Sequence, residues 1–257
     1  MSDVVNATTE ESAPEGLPDP IVTSPSWAEL EVTWGEPELP NGVIVRYELY
    51  HNSIMVTSGL TREYRVDNLQ PYSLHIIQVK ACTSIGCGYS NEVKTRTQEA
   101  APEGIVTLEV VGLDPRSVNA TWTAPEKPNG HLYFDVYFDG IFYKDAANRD
   151  YRTDVLRKSL LRTNDSYKWT VIDNLIPYTI YKIQVNASNT KGFILSNIVS
   201  RNMPAGTPDG VSPPSLVSET PNSIKAQWPP VGRVNSNEEP SYILQFREKR
   251  ANSIVQE

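Results

Sequence analysis

The chain holds only two cysteines and three histidines among its 257 residues. Two thiols are too few for a disulfide-built scaffold or a four-thiolate zinc site. His51, His75 and His131 are scattered, with no His-Glu-x-x-His run and no i, i+4 pair, so a zinc hydrolase lacks its ligands. No Gly-x-Ser-x-Gly elbow is present to strain a serine nucleophile. Gly86-Cys87-Gly88 has no third glycine and lies between strand-like segments, whereas a dinucleotide loop must open a helix. Paired carboxylates at Glu10-Glu11 and Glu238-Glu239 fall in tail or loop segments and are expected to be solvated. On this inventory the chain is expected to be no enzyme, with no cofactor and no small-molecule substrate.

Other absences narrow the field further. No apolar run approaches the length of a membrane-spanning helix, about 18 residues, so membrane contact is expected only through parts outside this chain. A basic excess is missing: 23 basic residues face 31 acidic ones, a net charge of −8, which argues against a nucleic-acid partner. The opening MSDVVNATTEESAPEG has neither a basic n-region nor an apolar h-region, so it is not read as a signal peptide. The expectation is either a cytosolic protein or a fragment beginning at a supplied Met1. An Arg-Gly-Asp tripeptide is absent as well.

What the chain does have is repetition. Hydrophobic residues make up 39%, enough for real cores, and 20 prolines and 14 glycines punctuate short segments. Leu30-Glu-Val-Thr-Trp34, Val118-Asn-Ala-Thr-Trp122 and Ile224-Lys-Ala-Gln-Trp228 each alternate apolar and polar residues into a tryptophan. That period of two is the signature of a half-buried strand. A proline follows each tryptophan within three residues, and Pro-Asn-Gly turns stand at 40–42 and 128–130. Alternating segments come next: Tyr47–Tyr50, Phe134–Tyr137 and Tyr242–Phe246. Asp67-Asn-Leu69-Gln-Pro71-Tyr72 is echoed by Asp173-Asn-Leu175-Ile-Pro177-Tyr178, and each leads into a long alternating run, Ile77–Ala81 and Ile183–Ala187. No long segment carries helical periodicity. An all-β tandem array is expected.

The order of tryptophan, aromatic-bearing strand, Leu-x-Pro and alanine-ended strand resembles the fibronectin type III repeat, an immunoglobulin-like β-sandwich of seven strands. The resemblance divides the chain into a flexible N-terminal tail at 1–13 and repeats at 14–100 and 101–205. A third, incomplete repeat follows at 206–257, with the intact protein expected to continue past Glu257. It implies that Trp34, Trp122 and Trp228 anchor the inter-sheet cores, the last of them under-covered for want of partner strands. The family's corner tyrosine falls on Tyr181 in repeat two. Repeat one has His75 there, expected to donate a similar hydrogen bond. More narrowly, Ala-Pro-Glu-Gly openings at 13–16 and 101–104, together with Ala81-Cys-Thr-Ser-Ile-Gly-Cys87, resemble the repeats of a large extracellular matrix and membrane protein.

Four Asn-x-Ser/Thr sequons occur, at Asn6, Asn119, Asn164 and Asn186. Strand phase turns Asn119 and Asn186 outward, so all four are glycosylation candidates, with chance occurrence as the plain alternative. Strand phase also turns Cys82 outward, where Cys87 can face it; a bridge and two free thiols both fit that spacing. The resemblance and the sequons favour the bridge. Repeat two carries an insertion, expected over about 139–172. Between 149 and 168 it holds six basic residues against three acidic ones, which makes Arg152, Arg157, Lys158 and Arg162 partner-binding candidates; a solvated loop is the bland alternative. The short, proline-bearing linkers at 98–102 and 203–208 predict a semi-rigid array.

The expected function is therefore that of an extracellular or cell-surface adhesion segment. Its repeats would act as spacers and bind other proteins of the matrix or cell surface; the narrower resemblance implies a setting in sensory epithelia. An intracellular scaffolding protein is the runner-up, separated by the redox state of Cys82 and Cys87. A receptor kinase or phosphatase ectodomain is a third reading.

Overall fold

In the computed structural model of the chain the described residues are 9–142, 158–164 and 168–247. They contain strands and no helix. The first unit has β1 (Ile21–Ser26), β2 (Glu29–Thr33), β3 (Arg46–His51), β4 (Ile54–Gly59), β5 (Glu63–Val66), β6 (Leu74–Cys82), β7 (Cys87–Tyr89) and β8 (Val93–Arg96). One sheet runs β1-β2-β5 and the other β4-β3-β6-β7, with β8 also on β6, all antiparallel.

The second unit repeats this plan with β9 (Leu108–Asp114), β10 (Ser117–Trp122), β11 (Tyr133–Phe142), β12 (Lys158–Asn164), β13 (Trp169–Ile172), β14 (Thr179–Asn189), β15 (Gly192–Leu195) and β16 (Val199–Asn202). Its sheets are β9-β10-β13 and β12-β11-β14-β15, with β16 on β14. The period-two runs explain both cores. Leu30, Val32 and Trp34 from one sheet meet Leu49, Ile77, Val79 and Ala81 from the other. Val118, Ala120 and Trp122 meet Phe134, Val136, Ile183 and Val185 in the same places. The strands that build these cores bury one face and leave the other outward, as strand geometry requires.

Several expectations are corrected. Of the insertion expected over 139–172, residues 143–157 and 165–167 lie outside the described residues. The described remainder is nearly all strand: β11 runs on to Phe142, β12 pairs with it, and β13 pairs with β10. Within the first unit the same two strands join across Asn52 and Ser53 alone, both at positive φ. The tail expected over 1–13 is shorter, because Glu11 and Ser12 bond to the first unit. The Ser12 N–H donates to the Asn41 carbonyl at 2.9 Å, and the Val43 N–H to Glu11 Oε1 at 3.0 Å.

In the third unit β17 (Ser215–Thr220) pairs with β18 (Ser223–Gln227) as a lone hairpin. Tyr242–Phe246 does not form the expected strand. Its counterparts β3 and β11 take their hydrogen bonds from β6 and β14, and no such strand exists here among the described residues. Trp228 is accordingly half-buried against Tyr242, with ring centroids 5.8 Å apart, and is not a buried anchor like Trp34 and Trp122.

The corners also differ. Tyr181 is buried, and its hydroxyl accepts from the Ile176 N–H at 3.0 Å. His75 makes no such bond to its own corner. Its Nδ1 lies 2.8 Å from His51 Nε2, and its Nε2 lies 2.7 Å from Ser73 Oγ. Since the Ser73 hydroxyl donates to the Gln70 carbonyl at 2.6 Å, the proton order is set: His51 donates to His75, His75 to Ser73, and Ser73 to Gln70. In repeat two the place of His51 is taken by Phe138, which packs on Tyr181.

Candidate functional site

The joint between the first two units is made by two consecutive residues held on opposite sides. Gln98 belongs to the first unit: its side-chain amide donates to the Ser24 and Pro25 carbonyls at 2.7 and 3.3 Å, and its carbonyl accepts from the Tyr72 N–H at 3.0 Å. Glu99 belongs to the second unit: its carboxylate accepts from the His131 N–H at 2.7 Å and from both the hydroxyl and the N–H of Thr190. Partial burial pushes the Glu99 carboxyl up, but the Thr190 and His131 donors outweigh it and hold the group below its ordinary value.

From there the chain is pinned to the Pro-Asn-Gly turn. Ala100 N–H donates to the Asn129 carbonyl at 2.9 Å, and the Asn129 and Asn189 amides donate to the carbonyls of Ala101 and Ala100. Asn129 sits at φ 52°, a left-handed conformation that asparagine tolerates better than most residues. A β-carbon on Gly192 would stand 2.7 Å from that of Ala101, so a glycine there lets the linker lie against the β14–β15 hairpin. Across the joint Tyr72 meets the His131 ring at 5.6 Å, and the Arg96 guanidinium lies 5.0 Å over the Tyr72 ring.

The asparagine part of this device occurs three times, and the carboxylate part twice. At the head of the first unit Glu11 and Asn41 play the parts of Glu99 and Asn129. At the head of the third, Gly206 N–H donates to the Asn235 carbonyl at 3.0 Å, and the Asn235 amide donates to the Thr207 carbonyl at 2.7 Å. Asn235 was missed in the sequence because Arg233-Val-Asn235-Ser replaces Pro-Asn-Gly; its place after Trp228, the same as that of Asn41 after Trp34 and Asn129 after Trp122, was its signal. Arg116 ties this second joint, donating to both Asp209 carboxylate oxygens at 2.7 and 2.9 Å. That contact leads the causes that hold the Asp209 carboxyl below its ordinary value.

Cys82 and Cys87 stand directly opposite each other in β6 and β7, with Cα atoms 4.1 Å apart, and their sulfurs are joined. Register places Cys82 on the outer face, yet it is fully buried, with Arg46 opposite and the Glu48 carboxylate 4.0 Å from its sulfur. Glu48, at the centre of a cluster on the same face, carries no motif that marks it in the sequence. It accepts from Arg46 Nε at 2.7 Å and Tyr50 hydroxyl at 2.9 Å, and pairs with Lys80 at 3.2 Å. The Arg46 bond leads the causes that hold its carboxyl down at about 2, against the opposing effect of burial.

The other predicted residues are dispersed. Asn119 is at the middle of β10 and Asn186 on β14, on different sheets. Asn164 is the last residue of β12, and Asn6 lies outside the described residues. Arg152 and Arg157 also lie outside them, while Lys158 and Arg162 fall in β12, in register with Phe138 and Asp135. Among the described residues no group of three or more His, Cys, Asp or Glu side chains is placed to hold a metal ion.

The fibronectin type III domain profile matches residues 12–96. Human usherin is 40% identical over 247 residues, 96% of this chain, and mouse usherin 39% over 246. The chain is built of fibronectin type III repeats. It spans 5% of the length of either usherin, so it corresponds to a short stretch of a much longer protein in those relatives. The phosphatidylinositol phosphatase PTPRQ of Rattus norvegicus is 31% identical over 191 residues, 72% of this chain and 8% of that protein. That likeness is confined to fibronectin type III regions and does not extend to catalytic ones. The narrow resemblance carried by the Ala-Pro-Glu-Gly openings is thus a resemblance to usherin repeats.

Proposed function

We propose that this segment is a non-catalytic spacer of an extracellular or cell-surface protein, whose fibronectin type III repeats set a fixed distance and present outer faces to other proteins. One observation carries the reading: Gln98 is held by one repeat and Glu99 by the next, so no free residue remains at the joint. A spacer needs a defined end-to-end distance, and flexible linkers give a broad one. The usherin likeness over nearly the whole chain supports the adhesion setting, and the joined Cys82 and Cys87 fit an oxidising compartment better than cytosol.

The test is the distance distribution between spin labels placed on exposed sites of the first two repeats of the full chain. A single narrow peak is expected. Replacing Gln98 and Glu99 by glycine should broaden it while each repeat keeps its melting transition. A broad distribution in the unaltered protein refutes the spacer reading. The PTPRQ match favours a second reading, the ectodomain of a receptor phosphatase. It predicts the same joint, and differs only in what the longer protein carries elsewhere.

A further inference from the structure

The outer faces of the two complete repeats are built differently on the three-stranded sheets. In the first repeat β2 presents Glu31, opposite Thr23 and Arg65; Arg65 pairs with Glu29 and Asp67. That face is charged and self-satisfied. In the second repeat the same positions hold Asn119, opposite Val111 on one side and Val171 on the other. Thr121, next on that face, stands opposite Trp169. Val111 is 59% exposed, Leu113 57%, Trp169 55% and Val171 44%. An apolar strip therefore lies open on repeat two, and the sequon Asn119-Ala120-Thr121 runs through its middle. In β18 the equivalent of Asn119 is Lys225, opposite Val217, with no sequon.

The Asn119 amide is oriented for a substituent. Its Oδ1 is shielded from solvent without a hydrogen-bond partner, which leaves Nδ2 as the atom of the amide on the solvent side. Directly opposed residues of an antiparallel pair lie about 5 Å apart and diagonal ones about 7–8 Å apart, within reach of an aromatic side chain. A sugar ring attached at Nδ2 thus starts between Val111 and Val171 and beside Trp169. Pyranose rings present C–H faces that pack on indole and aliphatic surface, removing it from water.

We infer that Asn119 carries an N-linked glycan whose first sugars lie over Val111, Trp169 and Val171, so that the covering of this strip is carbohydrate and not a protein partner. The inference rests on the extracellular reading above, since the chain must meet a lipid-linked oligosaccharide donor. In the transfer, Nδ2 forms a bond to C1 of the first N-acetylglucosamine. The sugar–phosphate C–O bond breaks, the lipid pyrophosphate leaves with the electron pair, and the amide gives up one proton. Once covered, this sheet leaves recognition to the other faces of the repeat.

The full chain secreted from a eukaryotic host tests this in two readings on one sample. Peptide mass mapping reports occupancy at each sequon. Hydroxyl-radical oxidation of Trp169 is then compared before and after native enzymatic removal of the glycans, with exposed Trp27 of repeat one as the internal standard. Expected are an occupied Asn119 and severalfold faster oxidation of Trp169 after deglycosylation, with Trp27 unchanged. The same acceleration is expected in Asn119→Gln, and the enzymatic comparison stands if that variant folds poorly. An empty Asn119 beside another occupied sequon overturns the inference and leaves the extracellular reading intact. No occupied sequon and unbridged thiols overturn both. Equal oxidation with and without the glycan overturns the covering, and protection in both forms together with a dimer gives the strip to a second copy of the chain.

Discussion

Trp122→Ala separates the two complete cores from the third unit. Trp122 is 5% exposed and meets Phe134 at a centroid distance of 5.8 Å, inside the cluster that holds Leu108, Leu132 and Val185. Truncation leaves a cavity that packed sheets cannot close, at a cost of about 3–5 kcal/mol. A domain of this size loses about 4–8 °C per kcal/mol. The transition of repeat two should therefore fall by at least about 12 °C in scanning calorimetry, taking roughly 4 °C for each of 3 kcal/mol. The indole Nε1 is buried without a partner, so Trp122→Phe forfeits no hydrogen bond and should cost far less. Trp228→Ala removes a half-buried ring that packs on Tyr242 outside either complete core, and should cost less than about 1 kcal/mol. A Trp122→Ala protein melting within about two degrees of the parent, or a Trp228→Ala protein falling as far as Trp122→Ala, refutes the assignment of the core.

The remaining expectations are shorter. Thiol alkylation of freshly secreted protein without reductant should label neither Cys82 nor Cys87, and replacing both by alanine should cost about 2 kcal/mol or less, because the closed loop is so short; full labelling contradicts the bridge. His51 and His75 both have basicity lowered from 6.5, chiefly by burial, and the pair accommodates one proton more readily than two. The unfolded chain protonates first, so their contribution is complete above pH 6.5 and is lost as the pH falls through the lowered folded values. His51→Phe with His75→Tyr, the pair that repeat two uses, should flatten that part of the stability–pH curve; an unchanged slope counts against the pair. Glu48→Gln should destabilise repeat one by about 1–3 kcal/mol at neutral pH. Because the Glu48 carboxyl is held at about 2, well below its ordinary 4.5, that advantage exists above pH 4.5 and fades towards pH 2; a constant difference across that range tells against the ion cluster.

Much of the fold was legible because strand periodicity and core membership are the same fact. Leu30, Val32 and Trp34 alternate in the sequence because alternate side chains enter the sandwich, and the second repeat copies them. What was not legible depends on pairing across the sheet or across a joint. Glu48 reads as one more surface acid until Arg46 and Lys80 are seen beside it. Glu99 reads as linker until Thr190, 91 positions away, donates to it. The His51–His75 contact spans 24 positions, and only His75 stood out, as a departure from a corner tyrosine. The extra length of repeat two could be counted, but not that β11 would run on to Phe142 in register with Thr179 of β14. Trp228 is half-buried, as its missing partner strands imply, because a motif names a position in a sandwich whereas burial needs the opposing sheet.

The absence of slack at residues 98 and 99 bears on how such an array answers a pull. A coiled linker acts as an entropic spring, extending under small loads by up to about 3.5 Å per residue before any domain feels the force. Here tension passes directly from the Gln98 amide on Ser24 and Pro25 to the Glu99 carboxylate on His131 and Thr190. Compliance must then come from bending at the joint or from rupture of those bonds. A chain of such joints transmits displacement almost unattenuated from one end to the other, as a stay does and a tether does not.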